Sequence, residues 1–373
     1  MPDWSQIREE FPALQNWTFL NTATFGQLSA RTTAAVNKHF AHRDKLACHD
    51  FLNWFDDADT VRQSIARLIH AAPDDIAFFG TASWALSLLL GGLNWREGDR
   101  VLTFENEFPN NIYYPALLAS KKVEFVEAAW ENFEAALTPN TRLVILSTVN
   151  YTNGFRPPLE QIAALLRDRD ILLYADATQS LGAFQFDVQR IRPAMLAVHG
   201  YKWMLAPSGS AFAYISPELR AVLAPNVVGW RSHKDWRNVD NLHHGAPEFV
   251  ETAERYEGGM LPFPLIYALG ASVDQMLEIG PGEIEKRVLS LADRCRETLR
   301  SAGAKLLYDE YAHFDSGIVA ARWDRRDASH IARELKARNV LVSARHGNLR
   351  VSVHFYNSQE DLDRLGMELK RLL

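Results

Sequence analysis

Between Asp74 and Ser216 the chain repeats one pattern: a short, almost continuously apolar run, then a longer stretch with helical periodicity. The strand candidates are DDIAFFG, RVLTFEN, KVEFVEAAW, RLVILSTV, DILLYADA, MLAVHG and GSAFAYIS. Helix candidates ASWALSLLLGGL, NIYYPALLASK and PPLEQIAALLRDR lie between several of them, and in the last Leu159, Ile162, Leu165 and Leu166 share one face. Strands without polar alternation are buried on both faces, so the pattern predicts an α/β unit on a mostly parallel sheet between helices. Sheets of this kind bind ligands beyond the carboxyl ends of their strands, which directs attention to the polar residues just after each run.

The rhythm changes after about Leu261. LPFPLIYALGASVDQMLEIG reads as a helix entered through prolines, and GPGEIEKRVLSLADRCRETLRSAG as a long amphipathic helix stopped at Gly303. A strand (SGIVAARW), a helix (ASHIARELKARN), two strands meeting at His346-Gly347-Asn348 and a final helix from Ser358 follow. The expected organisation is a large domain over 16–260 and a smaller α+β domain from 261–373, joined by residues 1–15. With 373 residues, 47% of them hydrophobic, the chain can bury a full core.

A formal charge of −6 gives no general pull toward nucleic acid or anionic lipid, and neither is expected as a partner. The opening MPDWSQIREEFPAL has no apolar core of a secretory signal, and no apolar run approaches the roughly 18 residues of a membrane span. A soluble, cytoplasmic protein is the expectation. Cys48 and Cys295, the two cysteines, cannot form a disulfide framework or a four-cysteine zinc site. His233, His243 and His244 fit no ordinary zinc spacing, so no metal is expected. Trp230, Arg231, Trp236 and Arg237 share that loop and are expected to line the substrate entrance, favouring a bulky or anionic amino acid.

Two strand-end residues stand out as a pair. Asp176 closes ILLYAD, and Lys202 follows MLAVHG one strand later. Singly, such an aspartate is a common helix cap and such a lysine a common surface group. Together they match the needs of pyridoxal phosphate: a lysine amine for a Schiff base and an acid to keep the pyridine nitrogen protonated. Desolvation and nearby cations lower a lysine's pKa, so that its neutral amine can attack an aldehyde. FFGTASWAL adds a strand, a glycine turn and Thr81, Ala82 and Ser83 opening a helix, the form of a phosphate site.

Several stretches resemble the class V aminotransferase family, the cysteine-desulfurase-like, selenocysteine-lyase-like and isopenicillin-N-epimerase-like branch of fold-type I pyridoxal-phosphate enzymes. YADATQSLGAFQFDV is similar to its aspartate–x–x–glutamine signature, and GYKWMLAPSGSAF to its Schiff-base segment. FLNTATFGQLS, ERYEGGMLPFP and GNLRVSVHFYNSQEDLDRL resemble its N-terminal signature, its glycine turn and its C-terminal arginine strand. The resemblance covers nearly the whole chain in order. It implies a large domain with a mostly parallel seven-stranded sheet, a smaller α+β domain, and a homodimer with shared active sites.

By that resemblance Lys202 holds the cofactor and shuttles protons, Asp176 pairs with the ring nitrogen, and Gln179 bonds the ring's phenolic oxygen. Thr81, Ala82 and Ser83 hold the phosphate, helped by His199 and Tyr201, which replace the family's usual serine and histidine. Gly258 and Gly259 approach a phosphate of the partner subunit, and Arg350 clamps the substrate carboxylate. Trp203 is expected to pack.

The departures bear on the reaction. In ENEFPNN, Phe108 stands where the family commonly has a histidine stacked on the ring; it can stack but carries no proton. Tyr151, in STVNYTNGF, replaces an asparagine near the cofactor. Cysteine desulfurases carry a thiolate shortly before the carboxylate-binding arginine, and LVSARHGNLR has none. The expected activity is therefore transamination, epimerisation or β-elimination at an amino acid's α-carbon. A cysteine desulfurase or selenocysteine lyase is the weaker alternative. A nucleotide-binding oxidoreductase lacks its glycine fingerprint here, and a silent binding protein would have no need of both Lys202 and Asp176.

Overall fold

The computed structural model describes residues 2–308 and 313–373. Seven strands form the large sheet: β2 (Ile76–Phe79), β3 (Arg100–Phe104), β4 (Glu124–Ala128), β5 (Thr141–Ser147), β6 (Leu172–Asp176), β7 (Met195–His199) and β8 (Ala211–Ile215). A short β1 (Thr18–Phe19) precedes them. The order across the sheet is β2-β8-β7-β6-β5-β3-β4. β8 pairs antiparallel with both its neighbours, and the other pairs are parallel. β8 alone is reversed, so the remaining six carboxyl ends meet at one edge.

The apolar runs divide between two cores by simple alternation. Leu143 and Ile145 of β5 face one side, with Ala77, Val101, Tyr174 and Met195, against the Ala82–Gly92 helix. Val144 and Leu146 face the other, with Phe78, Leu102, Leu173 and Val198, against the Asn53–Ile69 and Phe263–Ile279 helices. Both faces are covered, which is why these strands lack a polar side.

The C-terminal part carries an antiparallel sheet in the order β12-β13-β10-β9, built from β9 (Lys305–Leu306), β10 (Ile318–Arg322), β12 (Ser343–Arg345) and β13 (Asn348–Ser352). β11 (Val340–Leu341) pairs in parallel with β1, and the Leu20 carbonyl accepts from the Ser352 amide. These bonds bring the N-terminal segment alongside β13. His346 and Gly347 both have positive φ, 47° and 77°, which makes the β12–β13 link the two-residue turn that suits strand twist. That hairpin aims two arginines at the carboxyl edge of the large sheet. Among the described residues no helix is long and apolar enough to cross a membrane.

Candidate active site

Lys202 follows β7 in a tight turn whose backbone is gripped from two sides. Its neighbour Tyr201 accepts from the Gly26 amide at 2.9 Å, and a Cβ on Gly26 would sit 2.0 Å from the Lys202 carbonyl oxygen. Gly182, at φ +100°, lies as close to the Trp203 carbonyl. Only glycine fits either place, because the chains touch backbone to backbone. The lysine side chain is 7% exposed, and its Nζ lies 5.2 Å from the Phe108 ring centre and 5.6 Å from that of Tyr201. Burial pulls its pKa down to about 8; Asp176 opposes the shift, and Arg350 and Arg345 add to it.

Asp176 ends β6, buried beside the same cavity. It caps no helix. Its Oδ1 accepts from the Thr178 amide at 3.0 Å, and Oδ2 accepts from Asn111 Nδ2 at 3.4 Å. Asn111 is held in turn by buried Glu107, whose carboxylate also takes the Ser147 amide and hydroxyl. Burial pushes the Glu107 carboxyl above its ordinary range. This strut of Glu107, Asn111 and Ser147 fixes where the Asp176 charge points.

A small cavity lies between them, with about 40 Å³ of room for water-sized centres. Phe108, Tyr151, Gln179, His199 and Ser83 line it with Asp176 and Lys202. Phe108 and Tyr151 meet edge to face at 5.2 Å, and the Tyr151 hydroxyl bonds His346 Nε2 at 3.1 Å. Thr81 caps the Ala82–Gly92 helix by accepting from the Trp84 amide. The Ala82 amide donates to His199 Nε2 at 3.3 Å. Burial lowers the His199 pKa to about 4, so the ring is neutral and its proton belongs on Nδ1. That Nδ1 is buried and has no partner among the described residues.

Gln179 is oriented by a donor that cannot accept. The Trp203 indole N–H donates to Gln179 Oε1 at 2.8 Å, which fixes the amide nitrogen as the free end. That nitrogen spends one hydrogen on the Ala23 carbonyl and keeps the other. Trp203, expected as packing, therefore also sets the hydrogen-bonding sense of the site. Its own carbonyl meets His354 Nε2, a ring that burial keeps neutral, with its pKa near 3.

Arg350 is buried on β13 and pairs with no carboxylate among the described residues. It donates to Ser343 Oγ, the Tyr151 carbonyl and Thr24 Oγ1 at 3.1, 2.6 and 2.6 Å, leaving one N–H on each terminal nitrogen for an incoming acid. Gly258 and Gly259 line a separate turn outside this cavity, where Arg231 donates to the Gly259 carbonyl.

In the loop expected at the substrate entrance, both arginines are held by acids of the same chain. Arg231 is buried, paired with Glu254 and Glu257 and stacked between Phe55 and Trp236. Trp236 packs into the core on Phe55, and Arg237 pairs with Asp56 and Asp59. Its charges and most of its aromatic surface serve the fold. His233 and His243 stack at 4.0 Å, and His233 Nδ1 accepts from the Glu248 amide. Among the described residues no three histidine, cysteine or acidic side chains are grouped to hold a metal.

Sequence reasoning passed over Asn111, Glu107, Thr178, Thr24 and Arg345. Glu107 and Asn111 lie within ENEFPNN and Thr24 within FLNTATFGQLS, stretches singled out for other residues. The assembled groups suit pyridoxal phosphate: an unpaired amine for its aldehyde, a carboxylate for its ring nitrogen, and a helix start beside an unpartnered His199 N–H for its anionic end.

The sequence matches the family model for aminotransferase class-V over residues 41–365. It is 27% identical over 367 residues to the uncharacterized aminotransferase YcbU of Bacillus subtilis, covering 96% of this chain and 95% of that protein. The isopenicillin N epimerase of Streptomyces clavuligerus is 28% identical over 405 residues, covering 99% and 98%. The apo structure of a cysteine desulfurase from Thermococcus onnurineus superposes with a TM-score of 0.90 at 19% identity, covering 100% and 98%, a likeness of fold. The chain belongs to the aminotransferase class-V family and is a pyridoxal-phosphate-dependent enzyme.

Proposed function

We propose that the chain breaks and remakes bonds at the α-carbon of an amino acid, with Lys202 as the proton carrier and no cysteine thiolate in the path. The observation that carries this reading is the buried, unpaired Lys202 amine, with its pKa near 8, in one cavity with Asp176. When bound, the cofactor supplies an electron sink for a carbanion at that carbon. Lys202, neutral in an appreciable fraction near pH 7–8, takes the α-proton and returns it. The Asp176 carboxylate, aimed by Asn111 and the Thr178 amide, holds a positive charge opposite. Gln179 offers its remaining N–H, and Arg350 clamps the carboxylate with its free fork.

Phe108 carries no proton, which favours one-base chemistry, transamination or β-elimination, over epimerisation. Persulfide transfer is disfavoured by the thiols present. Cys295 is buried, its pKa pushed up to about 12; Cys48 is exposed but does not line the cavity, and β12–β13 has no cysteine. Reduction of the yellow protein with borohydride is expected to fix the cofactor on the peptide carrying Lys202, read by mass spectrometry. A panel of amino acids then yields keto acid with an added acceptor, or ammonia or sulfide without one. Label on another lysine, or none, would remove the reading.

The proposed assembly is a cytoplasmic homodimer. Trp84 on the Ala82–Gly92 helix, Tyr113 and Leu117 on the Asn110–Leu117 helix, and Val227, Val228 and Met260 near the Gly258–Gly259 turn are exposed large apolar side chains. Exposed apolar side chains in this number are costly to leave in water and suit a second copy. Light scattering is expected to read twice the 42.3 kDa chain mass. A monomer at micromolar concentration would refute it.

A further inference from the structure

Alternation along β13 and just past its end puts Arg350, Ser352 and His354 in phase. Arg350 donates to the Thr24 hydroxyl, the Ser352 hydroxyl accepts from the Ala23 amide at 3.0 Å, and His354 Nε2 meets the Trp203 carbonyl at 2.9 Å. The last two contacts converge on one side chain. Ala23 offers its carbonyl to Gln179 Nε2, and Trp203 gives its indole N–H to Gln179 Oε1. Gln179 is thus held at both ends by residues that are themselves held from β13.

His354 has only one hydrogen-bonding sense open to it. Its Nδ1 accepts from the Phe355 amide at 2.7 Å, so the proton sits on Nε2 and points at the Trp203 carbonyl. The ring is fully buried and stacks on Tyr356 at 5.2 Å, and the Tyr356 hydroxyl is bonded in turn to Thr22. Burial holds the His354 pKa near 3, so near neutral pH the donor is fixed and uncharged. The carbonyl it grips belongs to the residue next to Lys202. On its other side a Cβ on Gly182 would sit 2.1 Å from the same oxygen, so the turn has no room to drift that way. His354 does not line the cavity, which leaves it no proton to exchange there.

We propose that His354 is a positioning residue: through the Trp203 carbonyl it places together the Lys202 amine and the Gln179 N–H that face the cofactor ring. The role rests on the cofactor reading of Lys202 and Gln179 above. It makes the strand that carries Arg350 also the strand that orients the groups around the cofactor.

Three replacements separate the features of the ring. His354→Gln keeps a donor at the reach of Nε2, His354→Asn keeps only an acceptor for the Phe355 amide, and His354→Phe keeps only the packing. The first readout needs no cofactor: the indole N–H resonance of Trp203 in nitrogen-labelled apo-protein, assigned by its loss in Trp203→Phe. It is expected to stay in place in His354→Gln and to move in the other two. The second is the dissociation constant of pyridoxamine phosphate, which has no aldehyde for Lys202 to attack. His354→Asn and His354→Phe are expected to weaken binding about tenfold, the scale of one hydrogen bond to a charged group, while His354→Gln binds like the parent. In a Gln179→Leu background His354→Phe is expected to add nothing, because both changes act on one contact. An unmoved resonance in folded His354→Asn, a loss in His354→Gln as large as in His354→Asn, or additive losses in the double variant overturn the proposal. So does His354→Phe as the mildest of the three, which would mark a packing role. If pyridoxamine phosphate does not bind the parent, the cofactor reading fails, and the indole resonance still decides the hold on Trp203.

Discussion

Lys202→Ala is expected to lower turnover by about 10,000-fold or more, the upper end for general acid–base catalysis, because one side chain both anchors the cofactor and moves the proton. The fold is expected to survive. The parent amine is buried with no hydrogen-bond or ion-pair partner among the described residues, so removing it costs little packing and relieves a desolvated charge. The melting temperature should therefore hold or rise while activity disappears. Lys202→Arg should fare no better, since a guanidinium does not deprotonate near neutral pH. The parent apo-protein adds a pH signature. Its neutral amine fraction grows with pH, so the rate of cofactor uptake should climb about tenfold per pH unit below about 8 and level off above it. A midpoint near the ordinary lysine value of 10.5 would mean that the amine is solvated and the cavity misread.

The parts of this enzyme legible in its sequence are those set by local pattern. Continuous apolar runs such as LVILS predict strands buried on both faces, and Leu143/Val144 and Ile145/Leu146 do split between two cores. Asp176 and Lys202 are visible because strand ends are where such sheets work. What could not be read is contact across the chain. Thr24 lies 326 residues before Arg350, and no periodicity links them. The internal partners of the Trp230–Arg237 loop were hidden for a related reason. Aromatics with arginines describe a ligand entrance and an internal cation–π stack equally well, and the deciding acids, Glu254 and Glu257, come 23 and 26 residues after Arg231. Trp203 looked like packing because its hydrogen bond to Gln179 exists only once the two strand ends are side by side.

Asp176→Asn is expected to reduce kcat/KM by about 100- to 1,000-fold, the scale for losing one preorganised electrostatic group. The substitution preserves shape and removes charge. It also creates a conflict of donors: whichever way the new amide turns, its NH2 faces either the Thr178 amide or Asn111 Nδ2, both of which donate to Asp176. Weaker cofactor retention would follow from either electrostatics or simple disorder, so a second readout is needed. Asp176 opposes the fall of the Lys202 pKa. Without that charge the lysine should titrate lower still, and the midpoint of cofactor uptake by the apo-protein should move below about 8. A local packing defect would open the cavity to water and move the midpoint the other way. A downward shift with the fold intact identifies Asp176 as a charge acting on the reacting amine; an unchanged or raised midpoint leaves it a turn residue.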